Sequence, residues 1–267
     1  MPALRLRFLL IRPEKTHSNA ADSIALDRAH HIARNANALP PKAGHATSFS
    51  QVIQARKPSM PPLFISLEGI DGSGKSTQTA RLVDWLRVRG RDPLQTREPG
   101  GSEGAEEIRR LLVEGDPDRW SAETEILLFT AARRDHLERT IRPALASGRD
   151  VVTDRFADST RVYQGATRGA LRGLVDRIHA EAIEAEPDLT LILDMDPELA
   201  LSRGLARDSG EDRFEDFGLP FQQKLRAGFQ ALAREYPDRC HIVDASADPD
   251  AIAHTIQTIV GQRLAEA

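Results

Sequence analysis

The sequence predicts an α/β fold, a five-stranded parallel sheet with helices on both faces and a short mobile lid. Three observations carry this reading. Short apolar runs alternate with longer amphipathic segments throughout residues 60–267. Several of those runs are nearly continuous in Val, Ile, Leu and Phe, as strands buried on two faces require. The first of them, in LFISLEGIDGSGKST at residues 63–77, stops at Glu68 and breaks into glycines before a helical pattern begins. Parallel neighbours need helical crossovers, and ligands of such sheets bind at the carboxyl ends of the strands.

In chain order, strands are expected at 63–68, 93–97, 150–154, 189–194 and 240–244. Helical patterns fill 75–89, 103–113, 122–147, 171–185, 197–207, 217–235 and 249–264. In the first of these, Ala80, Leu82, Val83 and Leu86 recur at helical spacing. Three strands end in polar stretches expected as loops: TREPGG at 96–101, TDRFADST at 153–160 and LDMDPE at 193–198. Each alone also reads as ordinary turn chemistry, with an Asp capping the next helix. The longest polar stretch, RDSGEDRFED at 207–216, has the charge and glycine of a mobile segment, a lid at about 207–218, or else of a solvated loop.

Gly69–Ser76 fits G-x-x-x-x-G-K-[ST], the P-loop pattern, with a strand before it and a helix after it. Backbone N–H groups must converge on phosphate oxygens there, which is why glycine recurs, and the helix N-terminus adds its partial positive charge. Gly69, Ile70, Asp71, Gly72, Ser73, Gly74, Lys75, Ser76 and Thr77 are the candidate ATP-binding loop. Lys75 would hold the β- and γ-phosphates and Ser76 would ligate Mg²⁺. The alternative is a glycine-rich turn capping an ordinary helix.

Composition bounds the rest. The chain has 267 residues, 40% hydrophobic and 28% charged, ample for a buried core. No run approaches the roughly 18–20 apolar residues of a membrane span. The single cysteine, Cys240, cannot form an internal disulfide and sits in a strand-like stretch, RCHIVDA. It reads as a core thiol in a reducing, cytoplasmic setting. Residues 1–59 carry nine Lys/Arg against three Asp/Glu, whereas the remainder carries 27 against 37. This basic stretch has a transit-peptide flavour in its Arg, Ala and Ser content. Yet LRLRFLL is too short for a signal-peptide core, and no sustained period follows. Residues 1–59 are expected to be a disordered, dispensable extension, upstream sequence read from an early start codon being one origin. The acidic body opposes duplex binding, so neither nucleic acid nor membrane is an expected partner.

Read together, GIDGSGKS, TREPGG, LLFTAARRDH, DRFADSTRVYQG, PDLTLILDMDPELALSR and DSGEDRFE resemble the thymidylate kinase family, in its order and spacing, over residues 60–267. The resemblance implies transfer of the γ-phosphoryl of MgATP to dTMP. Since a phosphomonoester is mostly dianionic at neutral pH, with a second pKa of about 6, the acceptor needs no general base. The eight histidines are accordingly read as non-catalytic.

The same resemblance assigns roles. Arg97 and Arg155 resemble clamps on the acceptor phosphate. Asp71 and Asp154 resemble the acids that organise magnesium, its waters and the acceptor sugar, although Asp154 also reads as an ion-pair partner of Arg155 or Arg161. Phe129 matches the aromatic that stacks on thymine and Arg133 the residue that bonds the pyrimidine carbonyl. Phe129 also reads as core, beside Ile126, Leu127 and Leu128; at a helical period these four cannot all face one way. Ser159, Thr160, Tyr163 and Gln164 match contacts to base and deoxyribose, with Tyr163 crowding a 2′-hydroxyl. The loop lacks the arginine that one branch of the family carries beside Asp71, so the chain is similar to the lid-arginine branch. Arg203 would stack on adenine and Arg207 would reach the transferring phosphoryl, with Arg213 next in line. Leu205 and Thr130 stand where an arginine and a tyrosine are common. A homodimer is implied as well. The alternatives are another nucleoside monophosphate or deoxynucleoside kinase on this fold, or a P-loop switch ATPase, in which a second phosphate clamp has no use.

Overall fold

In the computed structural model, residues 61–115, 119–166, 170–205 and 218–266 are described. The basic extension and most of the expected lid, with Arg207 and Arg213, lie outside the described residues. Five strands, β1 (Phe64–Glu68), β2 (Leu94–Arg97), β3 (Val151–Asp154), β4 (Leu189–Asp194) and β5 (Cys240–Asp244), pair in the order β2-β3-β1-β4-β5. Every pairing is parallel. All five residues of β1 are buried, which is the cost of a central position and the reason its sequence is nearly continuous in apolar residues. The edge strands β2 and β5 instead expose alternate residues.

Helices cover both faces, as expected. Ile65 and Leu67 pack with Leu82 and Leu86 of α1 (Lys75–Val88), Leu225 and Phe229 of α8 (Gly218–Glu235) and Ile256 of α9 (Pro249–Glu266). The alternate residue Phe64 faces the other way, into a second cluster with Leu137, Ile141, Val151 and Ile183. There it meets Phe156 edge to face, ring centroids 4.9 Å apart. The remaining helices are α2 (Glu103–Val113), α3 (Ala122–His136), α4 (Arg142–Ala146), α5 (Ala157–Thr160), α6 (Arg172–Ala182) and α7 (Pro197–Leu205).

Two segments depart from the sequence reading. The helix expected over 122–147 is interrupted by a π-helical turn, Leu137–Ile141, between α3 and α4. Pro143 explains it: a ring without an N–H inside a helix removes one hydrogen bond and crowds the carbonyl four residues earlier. The stretch after β3, expected as a loop, is helical from Ala157 and continues as a π turn over Arg161–Ala166. Its anchor is Asp158, buried at 1% exposure and held by Arg161 at 2.7 Å and by Arg239 at 2.6 Å. A buried carboxylate with two guanidinium partners fixes the segment in one conformation, because leaving it unpaired is costly.

Register decides where the site forms. Arg97 and Leu67 both lie opposite Asp154, so β2, β1 and β3 end at one edge. The loops that leave those ends therefore open side by side.

Candidate active site

The chain leaves β1 at Glu68, turns through Gly69–Gly74 and enters α1 at Lys75. Gly72 has φ 79°, and a Cβ there would overlap the carbonyl oxygen of Ala200, so only glycine lets the loop pass under α7. Lys75 folds back over the loop: its Nζ donates to the Ile70 carbonyl at 2.8 Å and lies 3.8 Å from Asp71 Oδ1. Burial, reinforced by the nearby Arg155, pulls the Lys75 ammonium down to about 8. Ser76 Oγ donates to Asp154 Oδ2 at 2.6 Å.

Arg155 is the hub. Its backbone sits at φ 73°, in the left-handed region that a non-glycine residue holds only where its surroundings fix it. Nη1 donates to the Gly69 carbonyl at 3.1 Å and to Ser159 Oγ at 3.0 Å. Nη2 donates to Asp71 and, at 3.1 Å, to the Tyr163 hydroxyl, which in turn donates to Asp71 Oδ2 at 2.9 Å. Burial acts to raise the Asp71 carboxyl, but Arg155, Lys75 and Tyr163 outweigh it and hold the group at about 2. The Tyr163 phenol is pushed upward, chiefly by burial. Behind this layer Glu68 is fully buried and accepts from Phe156 N at 2.7 Å and Ser159 Oγ at 2.6 Å. Burial and the nearby Asp158 lift its carboxyl to about 8.

On the other side, Arg97 is half exposed and paired through both Nη atoms with Glu106, at 2.8 and 3.2 Å. Arg133 of α3 is buried, with Nε on Glu98 Oε2 at 2.7 Å and Nη2 on the Phe156 carbonyl and Thr160 Oγ1. Gln164 reaches Glu125 of α3 at 3.3 Å.

One cleft of about 380 Å³ joins these groups. Its lining includes Asp71, Gly72, Gly74, Lys75 and Ser76 at one end and Arg97, Phe129 and Arg133 at the other, with Asp154, Arg155, Ser159, Thr160, Tyr163 and Gln164 between. Of the four apolar residues in α3, Ile126 is buried, Leu127 is 58% exposed and Phe129 turns into the cleft. Gly69, Ile70 and Ser73 of the loop and Thr77 of α1 do not line the cleft. Arg203 is exposed, with Nη1 3.7 Å from Met195 Sδ, and lies outside the lining. Asp154 forms no ion pair with Arg155 or Arg161 among the described residues. Arg155 takes Asp71, and Arg161 takes Asp158, Asp176 and Glu186. The sequence reading missed Arg109, which also lines the cleft and donates to the Pro99 carbonyl at 2.5 Å, and the supporting carboxylates Glu68 and Glu98. The TREPGG motif already contained Glu98; nothing local marked the other two.

A P-loop at the head of one helix and a second set of guanidinium groups line one shared cleft, the layout of a P-loop kinase. Comparison with known proteins narrows this. The thymidylate kinase family model matches residues 67–256. The chain is 72% identical over 201 residues to the thymidylate kinase of Dinoroseobacter shibae, a match covering 73% of this chain and 97% of that one. It is 66% identical over 198 residues to the thymidylate kinase of Ruegeria pomeroyi, covering 74% and 94%. The crystal structure of thymidylate kinase from Ehrlichia chaffeensis superposes with a TM-score of 0.60 at 32% identity, covering 74% of this chain and 98% of that one. The chain belongs to the thymidylate kinase family.

Proposed function

We propose that this chain transfers the γ-phosphoryl group of ATP to dTMP, yielding dTDP and ADP. The observation that carries the reading is that Arg97 and Arg155 line the same cleft as Gly72 and Lys75. An oxygen of the dTMP phosphate attacks the γ-phosphorus, the new P–O bond forms, and the bond to the β,γ-bridging oxygen breaks with ADP leaving. No side chain takes a proton, since the acceptor is already an anion.

The chain's task is to hold two repelling anions in line and to balance the charge spread over the transferring group. Lys75 exchanges its bond to Ile70 for the β- and γ-phosphates, with the loop N–H groups around them. Arg97 and Arg155 grip the acceptor phosphate, Arg155 being fixed for that by Asp71. Phe129 stacks on thymine, and Arg133, whose Nη1 has no hydrogen bond among the described residues, offers that atom to a pyrimidine carbonyl. Ser159, Thr160 and Gln164 border the sugar and base, and Tyr163 crowds a ribose 2′-hydroxyl. Arg203 stacks on adenine and Arg207 reaches the transferring group.

Magnesium fits the donor set. Ser76 and Asp154 are hard oxygen ligands in mutual contact, and Asp154 Oδ1 has no hydrogen-bond partner among the described residues. No group of three or more His, Cys, Asp or Glu able to hold a metal occurs among the described residues. Ser76 and Asp154 would hold the ion, which would supply charge neutralisation at the nucleotide phosphates.

The proposal extends to a cytoplasmic homodimer with the kinase in residues 60–267 and residues 1–59 dispensable. Leu111 and Leu127, exposed on the packed helices α2 and α3, support a subunit contact; the free thiol of Cys240 suits a reducing compartment. Sedimentation and a comparison of full-length with shortened chain test these points. No described helix is long and apolar enough to cross a membrane.

An ADP-release assay with MgATP and a panel of monophosphates tests the activity. The expected order is dTMP, then dUMP well behind, with CMP, AMP and GMP near background. A single methyl distinguishes the first two, worth about 1–3 kcal/mol. ATP turnover undiminished without any acceptor would sink the reading.

A further inference from the structure

We infer that His136 is a positioning residue for base selection, locking the acceptor loop and Arg133 into one unit. The inference rests on the assignment of Arg133 to the pyrimidine. His136 closes α3 and has no exposed surface. Its ring is bonded at both nitrogens: Nδ1 lies 3.1 Å from Glu98 Oε1 and Nε2 lies 2.7 Å from Thr96 Oγ1. A carboxylate only accepts, so Nδ1 carries a proton. In the neutral ring Nε2 then accepts from the threonine hydroxyl.

The far oxygen of Glu98 accepts from Arg133 Nε at 2.7 Å. A chain of buried and part-buried bonds thus runs from Thr96 through His136 and Glu98 to the guanidinium assigned to the base. Thr96 and Glu98 flank Arg97, so the same imidazole holds the backbone that carries the acceptor-phosphate arginine. The fit is close: Gly101 crosses over the Thr96–His136 bond with φ 86°, and a Cβ there would overlap His136 Nε2. Thr140 Oγ1 bonds the Gly101 carbonyl at 2.8 Å and Ser102 Oγ bonds Asp135 at 2.7 Å, seating the loop against the same helix.

Removing the imidazole leaves Glu98 Oε1 buried without a partner. Nε and Nη2 share one edge of a guanidinium, and a carboxylate pairs best with two such donors. Glu98 then turns to take Nη2 as well, drawing it off the Phe156 carbonyl and Thr160 and tilting the plane that carries Nη1. That plane separates a pyrimidine carrying a carbonyl from one carrying an amino group at the same ring position. The machinery on β1 and α1 stays where it is.

The test measures the KM for dTMP, the KM for ATP, kcat, and the inhibition constant of dCMP in full-length wild type, His136→Leu, His136→Asn, Thr96→Val and Arg133→Gln. In His136→Leu the dTMP KM should rise about tenfold and the ratio of the dCMP inhibition constant to the dTMP KM should fall about tenfold. The ATP KM and kcat should stay within about threefold. His136→Asn keeps an N–H where Nδ1 stood and should hold that ratio within about threefold of wild type. Thr96→Val, which removes one hydroxyl, should shift it in the same direction as His136→Leu by less, and carries the test if His136→Leu does not fold. A ratio unchanged in His136→Leu and Thr96→Val but collapsed in Arg133→Gln overturns the positioning role and leaves the assignment of Arg133 intact. A ratio unchanged in Arg133→Gln overturns both.

Discussion

Ser76 Oγ donates to Asp154 Oδ2 across 2.6 Å, joining the first turn of α1 to the end of β3. The glycine loop and the strand end that leads into Arg155 therefore meet through two oxygen atoms, the proposed magnesium donors. Asp154→Asn keeps the shape and the bond to Ser76 but removes the charge. Half-maximal activity should then need about tenfold more free Mg²⁺, read from initial rates over a magnesium series at fixed ATP. An unchanged magnesium requirement would remove Asp154 from the metal site.

Lys75 sits at about 8 in the free protein, below its ordinary 10.5, because burial and Arg155 disfavour its charge. Nucleotide phosphates favour the charged form, so binding raises it. Between the free and bound values, near pH 9, ATP binding should take up close to one proton, and near pH 7 almost none. Calorimetry in buffers of different ionisation enthalpy reads this directly. In Lys75→Ala the uptake should vanish and kcat should fall by roughly a hundredfold or more.

Glu68 has its carboxyl lifted to about 8 by burial and Asp158, from an ordinary value of 4.5. Across that window the folded protein binds more protons than the unfolded chain, so this group lowers stability progressively as pH rises from about 4.5 to 8. Glu68→Gln does not titrate and can still accept from Phe156 N. Its stability relative to wild type should climb between pH 5 and pH 8, by more than about 1 kcal/mol. Urea unfolding at both pH values measures it, and a pH-independent difference would contradict the assignment.

Arg97 pairs with Glu106 at the surface, and such exposed pairs contribute only about 0–1 kcal/mol. Arg97→Ala should therefore leave the melting temperature nearly unchanged. The acceptor loses a bidentate donor, so the dTMP KM should rise at least about tenfold. A large drop in thermal stability with a normal KM would mean that Arg97 is a structural residue.

Much of this was legible in local pattern. β5 falls on its expected bounds, and β1, β2 and β3 begin one residue later than expected and end as expected. The P-loop could be read because strand, turn and helix follow one another without interruption. What escaped was tertiary. The helix and π turn after β3 depend on Asp158 meeting Arg239, 81 residues away. Glu68 and Glu98 look like ordinary strand-end acids until their partners, up to 91 residues away, are known. His136, read as outside the chemistry, gave no sign of its bonds to Thr96 and Glu98, because both come to it from another strand end. In α3 the helical period showed that the apolar residues must diverge; only packing showed that Phe129 takes the cleft.

The central position of β1 bears on how the enzyme comes into being. Its two neighbours pair with it across separations of 87 and 124 residues, and no hairpin stands in for them. As the polypeptide leaves the ribosome, the glycine turn emerges early but its scaffold is incomplete until β3 and then β4 follow. Contacts so distant in sequence form slowly, since loop closure precedes any gain from pairing. Nascent fragments should be unable to hold nucleotide, and stabilisation by bound ligand reaches only nearly complete chains.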